Sequence, residues 1–134
     1  MTLNCDLHAT TTAYRGASTI VSVFGEIDLA TAPRLAVELR DLACAGTDRM
    51  IIDLSGVAFL DAAGLRVLVA LHEYLQLGQR RLDVICPSAF QRRLLAITGL
   101  DDELNIHTDL EQALAMTVRG RDVRHRETRG TRWR

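Results

Sequence analysis

The spacing of apolar positions changes several times along the chain, and each change predicts an element. Residues 7–13 (LHATTTA) alternate weakly, and residues 18–24 (STIVSVF) are rich in β-branched side chains, with YRGA supplying a turn around Gly16. An opening β-hairpin is predicted. Gly25 closes the second strand, and EIDLATAPRL leads into a helix with Thr31 as N-cap and Pro33 in the first turn, where a missing N–H costs nothing. Ala32, Leu35, Ala36, Leu39, Leu42 and Ala43 then recur every three or four positions, an apolar stripe on a charged helix that packs by one face.

MIIDLS, residues 50–55, is too short for a helix and nearly continuous in apolar character, as expected of a central strand covered on both sides. SGVAFL reads as a loop, Asp61 as the N-cap of a helix striped by Leu65, Leu68, Leu71 and Leu75, and Gly78 as its C-cap. RLDVIC (81–86) is the next strand. Pro87 interrupts it, and Ser88 caps a helix of Phe90, Leu94, Leu95 and Ile97 that stops at Gly99 with Leu100 behind it. ELNIHT (103–108) is a short final strand, and Asp109 and Gln112 have capping-box spacing at the head of a last helix. The order is β-β-α-β-α-β-α-β-α: an α/β fold with a mixed sheet of about five strands and about four helices, a hairpin at one side and parallel strands joined by right-handed crossovers.

Composition adds an asymmetry that the pattern hides. The chain has 134 residues, 48% hydrophobic and 25% charged, which fits one compact domain. Its net charge is −1, yet residues 119–134 hold seven Arg against two acids and leave residues 1–118 at a net of −6. We expect a domain over 1–118 and a basic, disordered tail over 119–134, since Arg, Gly and Thr without apolar period bury no core. Trp133 among those arginines would allow base stacking, but no known nucleic-acid module surrounds it, and nucleic acid is not expected as a partner. The start of the chain lacks a signal-peptide pattern and no run is long enough for a membrane span, so the expected location is the cytoplasm.

The chemistry of enzymes is missing from the pattern. No glycine loop for phosphates and no GxSxG elbow occurs, Asp53 sits inside an apolar strand, and Ser55 lacks the strained turn of a nucleophile. No catalytic residue and no cofactor is expected. His8, His72, His107 and His125 show no metal spacing, so no metal is expected either, and His72 reads as a partly exposed surface residue. Cys5, Cys44 and Cys86 are odd in number and form no CxxC pair, which points to reduced, structural thiols rather than a disulfide framework or redox switch.

DLSGVAFLDAAGLRVLV, with GEIDLATAPRL upstream, closely resembles the signature of STAS domains, and of bacterial anti-sigma factor antagonists in particular. The resemblance runs in register over roughly residues 7–118, and the family fold has the element order derived above. In that family a D-S-S-G-L segment opens the helix, and its second serine is phosphorylated by the partner, an anti-sigma factor with an ATPase-like kinase domain. Unphosphorylated antagonist binds that partner and frees the sigma factor. Asp61, Gly64 and Leu65 match here, but the serine positions are Ala62 and Ala63, so the resemblance implies a docking surface without its phosphorylation switch. It places partner contacts at Glu26, Asp28, Thr31, Gly56, Phe59, Asp61, Ala62, Ala63, Gly64 and Leu65, with Gly64 allowing a partner backbone to approach closely. A homodimer is compatible with this. The competing reading is a STAS scaffold or sensor subunit of another complex, such as a lipid-transport ATPase assembly, or a module for a small ligand. Asp28 is equally a turn residue or an edge of the docking face.

Overall fold

The computed structural model describes residues 8–15, 18–44 and 48–115, with side chains described from Ser18 onward. The hairpin is present as β1 (His8–Arg15) antiparallel to β2 (Ser18–Ile27), and the turn expected around Gly16 lies outside the described residues. There follow α1 (Ala32–Ala43), β3 (Arg49–Leu60), α2 (Ala62–Leu77), β4 (Arg81–Ile85), α3 (Ala89–Ile97), α4 (Leu100–Glu103) and β5 (Asn105–His107), and residues 110–115 are helical (α5). One element is additional to the predicted order. Gly99, at φ 80°, reverses the chain after α3 and lets Leu100 start the single turn of α4, which shortens the last strand to three residues. The basic tail lies outside the described residues.

The strand order is β1-β2-β3-β4-β5, antiparallel only at β1–β2. Because β2 to β5 lie side by side in chain order, crossovers of one hand put α1, α2 and α3 on the same face. Val21, Val23, Ile27, Met50, Ile52, Leu54, Leu82 and Val84 meet Leu35, Leu39, Leu68, Leu71, Leu75 and Leu95 there in the main core. The other face is covered in its lower half by α5, where Ile20, Ile51, Ile85 and Ala113 form a small second cluster. Residues 50–52 of MIIDLS are thus covered on both sides, while Asp53 is half-buried and Ser55 exposed, so the predicted two-sided cover holds only for the lower part of the strand. Two predicted apolar stripes are narrower than expected. Ala36 is exposed on α1, and on α3 Leu95 is the only buried apolar side chain, with Gln91 buried beside it and Phe90 and Ile97 more than 70% exposed.

Helix ends obey their local chemistry in part. Ser88 accepts from the Gln91 N–H, and Asp109 Oδ1 accepts from the Gln112 N–H at 2.8 Å while Gln112 Oε1 accepts from the Thr108 N–H. Thr31 does not cap α1 with its side chain. Instead Asp28 Oδ1 accepts from the Ala30 and Thr31 N–H groups, and the Thr31 hydroxyl accepts from the Asp28 N–H and donates to the Glu26 carbonyl at 2.8 Å, so both side chains serve the turn ahead of the helix.

Under α5 lies a polar cluster that the periodicity does not announce. Asp83, fully buried in β4, accepts from Arg49 Nε at 2.6 Å, from Arg81 Nε at 2.9 Å and Nη2 at 3.0 Å, and is hydrogen-bonded to His107 Nε2 at 2.8 Å. Arg49 Nη2 also donates to the Ala113 carbonyl, tying α5 to the foot of β3. Burial alone raises the Asp83 carboxyl pKa, but the hydrogen bonds from His107, Arg81 and Arg49 outweigh it and hold the group at about 2.

Candidate functional site

The segment after the central strand is not a loop. β3 continues to Leu60 because β2 continues to Ile27 beside it, pairing Phe24 with Gly56, Gly25 with Val57, Glu26 with Phe59 and Ile27 with Leu60. Ten residues of β2 match twelve of β3, and two register shifts absorb the difference as bulges. Inward side chains therefore step by two through Met50, Ile52 and Leu54, then by three to Val57 and Leu60. Broken alternation made SGVAFL read as a loop.

Asp61 follows without a gap. Its N–H donates to the Ile27 carbonyl at 3.2 Å, its backbone is extended, and Oδ1 accepts from the Ala63 N–H at 2.9 Å and the Gly64 N–H at 3.3 Å. It is the predicted N-cap of α2. Replacing Asp61 by Ala leaves two N–H groups unpaired and is expected to lower stability by about 1 kcal/mol, read as a shift of the denaturation midpoint with an unchanged slope.

The ten residues proposed as contacts do not share one environment. Glu26, Gly56, Phe59 and Ala62 are exposed, Asp28, Thr31 and Asp61 are half-buried, and Ala63, Gly64 and Leu65 are buried. A Cβ on Gly64 would come within 2.7 Å of Ile27 Cγ2 and 2.5 Å of Leu60 Cδ1. The close approach this glycine permits is therefore within the chain, where α2 leaves the sheet, and not to a partner backbone. Gly56 is open to solvent but lies beneath the Phe24 ring, which a Cβ there would strike.

Two exposed apolar side chains that the sequence reading passed over join the same end of the sheet. Phe24 is 47% exposed and Leu29, beside Asp28, is 74% exposed. For Phe24 the signal was available, since Ile20, Ser22, Phe24 and Glu26 alternate along β2 with the inward Val21, Val23 and Ile27. The C-terminal ends of β2 and β3 and the starts of α1 and α2 thus present Phe24, Glu26, Leu29, Phe59 and Ala62 as exposed side chains near the Asp61 cap. Such a surface can bind a protein; among the described residues no group of three His, Cys, Asp or Glu could hold a metal.

Comparison with known proteins bears on what that surface serves. The STAS domain family matches residues 8–113. This chain belongs to the STAS domain family. Over 112 residues the STAS chain is 32% identical to the anti-sigma-F factor antagonist RsfB of Mycobacterium tuberculosis, covering 83% of this chain and 90% of that protein. An anti-sigma-B factor antagonist of Staphylococcus aureus is 31% identical over 91 residues, covering 68% of this chain and 84% of the relative. Among solved structures, an anti-sigma factor antagonist from Mycobacterium paratuberculosis superposes with a TM-score of 0.71 at 30% identity, over 86% of this chain and 97% of the other. The relatives of this STAS domain are regulatory antagonists, and none of its described helices is long and apolar enough to cross a membrane.

Proposed function

We propose that this chain is an anti-sigma factor antagonist of the cytoplasm, in which the unit 1–118 binds an anti-sigma factor with an ATPase-like kinase domain and so releases a sigma factor. The observation that carries the reading is the exposed cap of Glu26, Leu29, Phe59 and Ala62, set at the Asp61-capped start of α2. Asp28 and Thr31 hold the adjoining turn in shape. No catalytic group is involved.

At Ala63, the position of the family's phosphoacceptor serine, there is no hydroxyl, so docking on this surface is constitutive with respect to that modification. Incubation with the anti-sigma partner and radiolabelled ATP should leave residues 61–65 unlabelled; label there would overturn the statement. Binding itself is tested by titrating purified partner. Ala62→Asp, on an exposed helix-start position, should weaken binding by about tenfold or more while leaving stability within about 0.5 kcal/mol. Unchanged affinity would remove the head of α2 from the interface. Ala63→Asp is the poorer probe, because Ala63 is only 8% exposed and a carboxylate there would disturb the fold before it disturbed a partner.

A further inference from the structure

The one-handed winding of the sheet leaves its outer face with α5 as the only described helix upon it, and α5 reaches only the lower half. Above Ile20 and Ile51 the same face carries Ser22, Phe24 and Glu26 from β2 and Asp53, Gly56 and Phe59 from β3. Phe24 and Phe59 are 47% and 48% exposed, Phe24 lies over Gly56, and Phe59 is the cross-strand partner of Glu26. Two half-exposed aromatic rings and two carboxylates on one sheet face suit an occupant that offers guanidinium groups and an aromatic ring.

The chain itself contains such a segment. Residues 119–134 carry seven Arg and Trp133, at a net of +5 against −6 for the remainder. The described chain ends at Ala115 in α5 on this same face, at the end where Ala113 is bonded to Arg49 in the first position of β3. From Arg49 to Phe59 the strand rises about 33 Å at about 3.3 Å per residue, and the nineteen residues after Ala115 span about 60 Å when extended. The last third of the tail therefore reaches the upper face.

We propose that the Arg-rich segment 119–134 docks intramolecularly across the outer sheet face at Phe24, Glu26, Asp53 and Phe59, and thereby competes with a partner for Glu26 and Phe59. The contact itself stands independently; the competition rests on the docking site proposed above. Guanidinium groups of the tail stack on the two rings and face the two carboxylates, and the contact weakens with salt because its charged part is screened. It would regulate a surface that has no phosphorylatable serine at position 63.

Trp133 is the sole tryptophan of the chain, so its fluorescence reports the contact in the full-length protein without a label or a partner. At low salt its emission should be blue-shifted and protected from acrylamide relative to a free peptide of residues 119–134, and about 0.5 M NaCl should abolish the difference. Substituting Arg129, Arg132 and Arg134 by Gln, outside the folded unit, should release it, and so should Glu26→Gln with Phe59→Ser. Full-length protein that matches the free peptide at low salt overturns the proposal. So does protection that grows with protein concentration, which would place the tail on a second copy, or protection lost instead on neutralising Asp101, Asp102 and Glu103 of α4. Deleting residues 119–134 should tighten binding of the anti-sigma factor by about threefold or more, as expected when an occluded state is removed. A shielded Trp133 in a protein that binds no anti-sigma factor would sink the function and keep the tail contact; an unshielded Trp133 with intact binding would do the reverse.

Discussion

Replacing Asp83 by Ala should unfold this domain more readily than any surface change, lowering stability by about 3–5 kcal/mol. Deletion of the carboxylate leaves Arg49, only 4% exposed, buried beside Arg81 with no counter-charge and the buried His107 ring without its hydrogen-bond partner. For a domain of this size the loss corresponds to a fall of about 10–15 °C in melting temperature. The same residue sets an acid limit. Its carboxyl ionises at about 2 in the folded chain against an ordinary 3.8, so folding favours the ionised form. That contribution, about 2 kcal/mol, is complete above the unfolded value near 4 and is lost as pH falls from there toward 2. Urea midpoints measured between pH 5 and pH 2.5 should fall in the native protein, and this component of the fall should be absent in Asp83→Asn. An equal slope in both would show that other carboxylates govern acid unfolding.

The second large effect is expected at Gly64. Gly64→Val puts branched carbon into space already held by Ile27 and Leu60, whose side chains belong to the main core and cannot withdraw without opening it. Overpacking of this kind costs about 1–3 kcal/mol, and here it also pushes α2 off the sheet at its capped end. Circular dichroism melts should show the loss, and partner binding should weaken even at temperatures where the variant remains folded, because Ala62 moves with the helix start. A variant that is destabilised yet binds normally would separate the geometry of the α2 head from docking.

At Gly64 the structure supplies a reason for the glycine that lies inside the chain. Its place in the D-A-A-G-L segment was plain in the sequence, but the sequence offered two surfaces that could require a glycine, one inside the chain and one outside. Ile27 decides between them, and nothing near position 64 in the sequence says that Ile27 is there. Gly56 repeats the lesson with Phe24. The buried Asp83 cluster was missed for a related reason: a single acid in RLDVIC is weak as a pattern, and two of its three partners come from β3 and β5.

What the sequence determined by itself follows from interactions a few residues long. Apolar period and capping side chains gave the α/β class, the hairpin, the succession of strands and helices, and the caps at Asp61 and Ser88, while the D-A-A-G-L segment gave the family. The tertiary structure decided the rest, because it depends on who lies beside whom. Pairing with β2 kept residues 56–60 in the sheet despite their lost alternation, since a strand's backbone groups must be satisfied by a neighbour whatever its side chains do. Packing of α2 against the sheet buried Ala63, Gly64 and Leu65, while Glu26, Phe59 and Ala62 stayed exposed.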